Sequence, residues 1–147
     1  MSDIDAATPD NDALTEILTT WFLGYVATFS ELACCMRSDT SVLLNYFAAP
    51  ARIVGLAADM VMRTPDAITG FGGLGAEIES LRRDGLEEIT AADASVRFLN
   101  PRAALIAATW RLRFLTGETE DRRRAHLVVK EPLGWRIVTV VEQTKPS

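Results

Sequence analysis

The sequence predicts an α+β fold in which helices cover an antiparallel sheet, and three observations carry that reading. From Ala91 to Gln143, apolar-rich segments follow one another with turn-sized gaps: ADASVRFLN, ALIAATWRLRFLTG and RRRAHLVVKEPLGWRIVTVVEQ. This is the pattern of a β-meander. Between Ala13 and Leu32, apolar residues recur at three- and four-residue steps, the mark of an amphipathic helix that needs a sheet to cover. Thr64-Pro65-Asp66 then supplies a capping hydroxyl, a proline at the first helical position and a first-turn carboxylate, which together start another helix.

The totals fit one domain. The chain has 147 residues, 48% hydrophobic and 24% charged, an ordinary globular mixture. With 15 basic against 20 acidic residues the net charge is −5, so no basic field invites nucleic acid. The run Arg122 to Arg124 lies beside Glu118, Glu120 and Asp121 and reads as a solvated hairpin end. No apolar run approaches the roughly 18 residues of a membrane span, and the acidic start MSDIDAATPDND is unlike a secretory signal, so a cytoplasmic protein is expected. Cys34 and Cys35 are adjacent, which suits neither an easy disulfide nor a zinc site; they are expected to be reduced, and neither a metal nor a cofactor is called for.

Taken in order, residues 1–11 read as a flexible tail and 12–147 as the domain. Asn11 or Asp12 caps the first helix, whose face carries Leu14, Ile17, Leu18, Trp21, Tyr25, Phe29 and Leu32. Asp39 or Thr40 caps a short second helix through Val42 to Phe47, ending before Pro50. ARIVGL and MVMR then form a brief hairpin around Ala57, Ala58 and Asp59. A third helix runs from Pro65 to about Arg83, weakened by Gly70, Gly72, Gly73 and Gly75 and ended by Gly85. The cluster GFGGLG lacks the GK[ST] ending and the βαβ setting of a phosphate loop.

Strand parity assigns two faces to the meander. Ala104, Ile106, Ala108, Trp110, Leu112 and Phe114 share one face. Following the more apolar alternation, Ala125, Leu127 and Val129 belong to the inner face and His126, Val128 and Lys130 to the outer one. On the last strand Trp135, Ile137, Thr139 and Val141 are expected inside, and Arg136, Val138, Val140 and Glu142 outside. Both faces are rich in apolar residues, so one is expected to meet the helices and the other a partner chain.

The first helix with Trp21 and Tyr25, LLNYFAAPARI at Leu43 to Ile53, RTPDAITGF at Arg63 to Phe71 and PLGWRIVTVVE at Pro132 to Glu142 follow in an order that resembles the nuclear transport factor two-like superfamily. That superfamily includes SnoaL-like polyketide cyclases, ketosteroid isomerase and scytalone dehydratase, and the resemblance spans about Leu14 to Gln143. It implies a cystatin-like α+β barrel: a cone-shaped, curved, mixed or antiparallel sheet wrapped around three helices, with a cavity at the wide end and often a homodimer through the outer face. The acids that serve catalysis in relatives fall here on or near Gly55 and on Ala49 and Pro50. The last-strand polar positions fall on Thr139 and Val141. Tyr25 loosely matches an oxyanion-donating tyrosine of the isomerase branch.

Asp59 is the best remaining acid and, with Tyr25, the catalytic candidate, although aspartate in a hairpin turn is ordinary. Trp21, Tyr25, Phe29, Met60, Trp110, Leu127, Trp135 and Thr139 are the residues expected to line a pocket for a small apolar or aromatic ligand, or else to be plain core. Arg52 is expected to pair with a surface acid. The functional expectation is a SnoaL-like small-molecule-binding protein with an apolar cavity, with isomerase- or cyclase-like activity left open. The alternative is a non-catalytic dimerisation or association module. Absence of the expected acids favours binding.

Overall fold

A first helix of unusual length underlies the architecture. The computed structural model describes the backbone of residues 2–144 and the side chains of residues 12–144, and in it α1 runs Ser2–Ala33. It therefore begins upstream of the start expected at Asn11 or Asp12; the side chains of residues 1–11 lie outside the described set. Its buried stripe is Leu18, Phe22, Tyr25, Val26, Phe29 and Leu32. Ile17, expected on that face, points to solvent, and Phe22 and Val26 turn inward instead. Two polar ties fix where α1 ends. Ser30 Oγ accepts from the Ile89 amide at 2.9 Å, and Arg82 Nε donates to the Leu32 carbonyl at 2.9 Å, satisfying one of the carbonyls a helix end leaves open.

The segment after α1 is shorter and tighter than an α-helix. A 3₁₀ helix, Thr40–Asn45, is capped by Asp39, which accepts from the Ser41 amide, and Phe47 already belongs to β1, Phe47–Val54. β2, Asp59–Met62, pairs antiparallel with β1. The single third helix expected from Pro65 to Arg83 is two: α2, Pro65–Thr69, and α3, Leu74–Arg83. Thr64 caps α2 as expected, its hydroxyl accepting from the Ala67 amide at 3.1 Å. The break falls on the glycines because the chain doubles back on itself there; a side chain at Gly73 would collide with the Ala67 carbonyl oxygen and with Met62. Gly85, at φ +79°, turns the chain out of α3.

β3 (Leu86–Asn100), β4 (Ala103–Phe114), β5 (Thr119–Glu131) and β6 (Gly134–Gln143) form the antiparallel meander. β1 then joins β6 in parallel, giving one mixed six-stranded sheet in the order β2-β1-β6-β5-β4-β3. The sheet carries three register irregularities along β3, one between β5 and β6 and one between β1 and β6. Such bulges sharpen twist and let a sheet curl around what it covers. Its buried face, with α1 and α3, closes one continuous core. Among the described residues no helix is long and apolar enough to cross a membrane.

Gly73→Ala is expected to lower stability by about 2 kcal/mol, because the clash involves backbone that cannot swing away. Gly72, with nothing within 4 Å of an added Cβ, is the control. Urea unfolding of both variants checks this: equal midpoints would contradict the close approach assigned to Gly73.

Candidate functional site

The strand register places two polar side chains in the middle of the core. Ile106 pairs with His126, and Ala108 with Arg124, so both polar residues share the buried face of β4. His126 is 0% and Arg124 5% exposed. This reverses the inner and outer faces expected for β5: Arg124, His126 and Val128 point in, whereas Ala125, Leu127 and Val129 point out. The physical reason is that the inner face buries a compensated ion pair rather than the most apolar alternation.

On β6 the parity changes partway. Leu127 pairs with Thr139 but Val128 pairs with Ile137, so Val138 is the extra residue of a bulge. Trp135 and Ile137 point in as expected, and beyond the bulge Val140 and Glu142 replace Thr139 and Val141 on the inner face.

Arg124 is the electrostatic centre. It donates to Glu77 of α3 at 2.6 Å and lies 3.7 Å from Glu142 of β6. Its guanidinium carbon sits 5.2 Å from the centroid of the Trp110 ring, a cation–π contact. Burial works against the charge, but the contact with Glu77 and, farther off, Glu142 outweighs it and raises the Arg124 pKa. The guanidinium is therefore permanently charged.

His126 is held in one tautomer. Its Nδ1 is 3.1 Å from the Ile106 carbonyl oxygen, and a carbonyl only accepts, so Nδ1 carries the proton. The ring stacks on Trp110 at 6.0 Å with planes 15° apart and meets the edge of Phe22 at 4.8 Å. Burial, with the nearby Arg124 charge, depresses its pKa to about 3 against the opposing hydrogen bond to Ile106. At neutral pH the imidazole is neutral and Nε2 presents a lone pair.

Tyr25 packs against Phe29, Phe47, Trp110 and His126, and burial pushes its phenol well above the ordinary value, so it stays protonated. Among the described residues, the buried side-chain atoms Trp110 Nε1, Arg124 Nε and His126 Nε2 have no hydrogen-bond partner. Each such group costs about 1–3 kcal/mol if left so.

The candidates read from sequence divide three ways. Tyr25, Phe29 and Trp110 belong to this cluster, and Trp21 reaches it through Tyr46, at 5.6 Å from its ring, which in turn packs on Tyr25 at 5.5 Å. Met60 lies on β2 and packs half-buried on the core, while Trp135 meets Phe98 at 6.2 Å. Leu127 and Thr139 pair with one another on the opposite face of the sheet, away from the position expected of them. Asp59 begins β2 and pairs with Arg52 on the surface, as expected for Arg52 and away from the buried cluster. Sequence reasoning missed Arg124, Glu77 and Glu142.

Surface grooves lie apart from the polar atoms. One, of about 440 Å³, is lined by Leu44, Phe47, Ala49, Pro65, Leu133 and Arg136. Another, of about 380 Å³, runs between α1 and β3 past Leu23, Val26, Glu31 and Ile89.

A curled, mixed six-stranded sheet packed against helices defines the fold class, and comparison with known proteins agrees with it. Residues 15–145 match the model of the family described as NTF2-like protein (DUF6841), and the chain belongs to that family. A domain of unknown function with a cystatin-like fold from Nostoc punctiforme PCC 73102 is similar over 95% of this chain and 80% of its own, at 17% identity and a TM-score of 0.62. An NTF2-like superfamily protein from Salmonella enterica serovar Typhimurium covers 92% of this chain and 91% of its own, at 16% identity and a TM-score of 0.59. An NTF2-like protein with a cystatin-like fold from Novosphingobium aromaticivorans covers 82% and 77%, at 17% identity and a TM-score of 0.62. These likenesses show the fold. No curated protein matches the chain.

Two outcomes are expected from the cluster. Because the folded His126 pKa is depressed to about 3 from 6.5, the unfolded chain binds the extra proton between those values. Its contribution to stability is complete above pH 6.5 and falls away as pH drops, by up to about 1.4 kcal/mol per pH unit. Between pH 6.5 and about 5, where carboxylates contribute little, urea midpoints should fall in the natural protein and stay flat in His126→Gln. Separately, Glu77→Ala is expected to cost about 3–5 kcal/mol by stranding a buried cation, against less than about 1 kcal/mol for Asp59→Ala at the exposed pair. Equal losses in thermal unfolding would contradict the central place given to Arg124.

Proposed function

We propose that this protein binds a small molecule inside the cone, using the cluster of Trp110, Arg124 and His126 as its polar anchor and the rings of Tyr25, Phe22 and Phe29 as its apolar wall. The observation that carries the reading is the set of three buried polar atoms that lack a partner among the described residues, with Arg124 and His126 each lying against the Trp110 ring. Native proteins rarely leave such groups unpaired, and a bound molecule or ordered water is what normally completes them. Membership of the NTF2-like family supports the interior as the place, since a cavity there is what the resemblance implies.

Binding is favoured over proton-transfer catalysis. An efficient general base titrates near the working pH. His126, depressed to about 3, falls roughly four units short of neutrality. Tyr25, with its pKa raised, supplies a hydrogen-bond donor and no phenolate. Asp59 faces solvent in an ion pair.

The outer sheet face supports association with a second copy. Leu105, Leu127 and Thr139 run across three strands, with Ala107, Ala125 and Val141 beside them, all at least partly exposed. An apolar sheet face of this kind is ordinarily covered.

Binding is checked by native mass spectrometry of the purified protein and by thermal shift with a panel of neutral and anionic aromatics. The expected result is a retained small-molecule mass or a compound that raises the midpoint; saturation at a hundred times Kd adds about 2.7 kcal/mol, or roughly 5–10 °C here. A bare mass with no stabilising compound contradicts the reading. For association, light scattering is expected to show a dimer that Leu127→Lys converts to a folded monomer. A natural protein that is monomeric at micromolar concentration overturns it.

A further inference from the structure

We propose that the end of the sheet where β3 turns into β4 and β5 into β6 is a docking surface for an extended acidic peptide segment of a partner protein, one that carries apolar side chains beside its carboxylates. The proposal stands apart from the interior-binding reading and uses none of the residues assigned to it.

Three surface grooves meet at this end and share residues. The apolar groove of about 440 Å³ adjoins one of about 470 Å³ through Glu131 and Pro132, and that one adjoins a third of about 550 Å³ through Arg102, Lys130 and Glu131. Together they make a trough from Leu44 and Pro65, past the β5–β6 turn, to Asn100. A compact ligand fills one groove, whereas a continuous trough suits an extended chain.

The trough is apolar at one end and basic at the other. Leu44, Phe47 and Pro65 line the first part with Leu133, which is 88% exposed on the turn. Arg136 borders the same groove, and Arg102 and Lys130 line the two beyond it, with Glu131 the one acid among the residues that line all three. Three cations against one carboxylate leave a local positive excess on a chain whose net charge is −5. Among the described residues none of these three cations forms an ion pair, whereas at the opposite end of the sheet Arg111, Arg113 and Arg122 are each matched with a carboxylate. Arg136 Nη1 donates to the Trp135 carbonyl at 2.8 Å, which fixes the guanidinium beside the turn and leaves its other N–H groups to a carboxylate. Nucleic acid is a poor occupant, because its phosphates would run beyond this small basic area into a negatively charged protein.

The main chain favours a peptide over a lipid tail. Ala48 and Ala49 line the apolar groove and lie outside both ladders of β1: pairing with β6 passes from Phe47–Ile137 to Arg52–Thr139, and pairing with β2 begins at Ala51. A peptide laid along the groove can hydrogen-bond to a strand segment that the sheet leaves aside, and an alkyl chain cannot.

The probes are three blocked synthetic hexapeptides: two leucines, a glycine and three aspartates; the same with lysines for aspartates; and the same with serines for leucines. In the ¹⁵N-labelled full chain, the leucine–aspartate peptide is expected to shift the amide signals of Ala48, Ala49, Lys130 and Leu133 saturably, and to bind more weakly as NaCl rises from about 0.05 M to 0.5 M. The lysine and serine peptides are expected to leave those signals in place. Arg102 and Lys130 are exposed, so Arg102→Glu with Lys130→Glu is expected to keep the thermal midpoint and weaken binding about tenfold. Leu133→Ser, also on the surface, is expected to weaken it without changing its salt dependence. Equal binding of the lysine or serine peptide, no saturable shift, shifts confined to other residues, or an unchanged affinity in both variants overturns the proposal. So does N-acetyl-leucine shifting the same signals as strongly, which would make the occupant a small carboxylate, or a dependence of those signals on protein concentration without peptide, which would make it a second copy.

Discussion

Arg124 is charged at every accessible pH and almost wholly shielded from water, and the arrangement around it follows from that. A buried guanidinium is tolerated only where carboxylates and a ring face compensate its lost hydration. Here they arrive from three separate parts of the chain: Glu77 from α3, Glu142 from β6 and Trp110 from β4. The ion pair thus ties the helical layer to the sheet at a point where apolar contacts alone would leave register free. His126, two residues on, is neutral for the same reason that Arg124 is paired: the interior favours uncharged forms, and the Ile106 carbonyl fixes which nitrogen keeps the proton.

On the reading proposed above, this arrangement suits holding a polar group better than transferring a proton. A proton-transfer site needs a group that changes charge near the working pH, and burial has moved both His126 and Tyr25 away from that range in opposite directions. What remains is a set of fixed donors and one fixed acceptor among rings. Such a set can orient a polar group but has little to exchange with it. The acids that relatives are expected to use, at the places of Ala49, Pro50 and Gly55, have no substitute in the buried cluster, since Glu77 and Glu142 are committed to Arg124.

Much of the fold was legible because local signals and the global pattern agreed. The Thr64 cap, the face of β4 and the meander from Ala91 onward follow from capping chemistry and strand alternation. The third helix was less legible: four glycines announced a weak point, but only the close approach of Gly73 to Ala67 turns a kink into a break. The site was misread at β5, where choosing the more apolar alternation put Leu127 inside and His126 outside. A usable signal was present. Centring the β4–β5 turn on Thr116 beside Gly117 pairs Ile106 with His126, as observed, and carries His126 to the face of Trp110. The shift on β6 had no such signal, since a bulge at Val138 depends on how β5 and β6 meet and not on either strand's own pattern.

The central claim is that Trp110, Arg124 and His126 form an anchor completed by something other than protein. The most direct measurement is a high-resolution crystal structure of the protein as purified, inspected beside Trp110 Nε1, Arg124 Nε and His126 Nε2. The account predicts density for a bound non-protein atom within hydrogen-bond distance of at least one of the three. A dry site in which the three atoms are paired with neighbouring protein groups would contradict it.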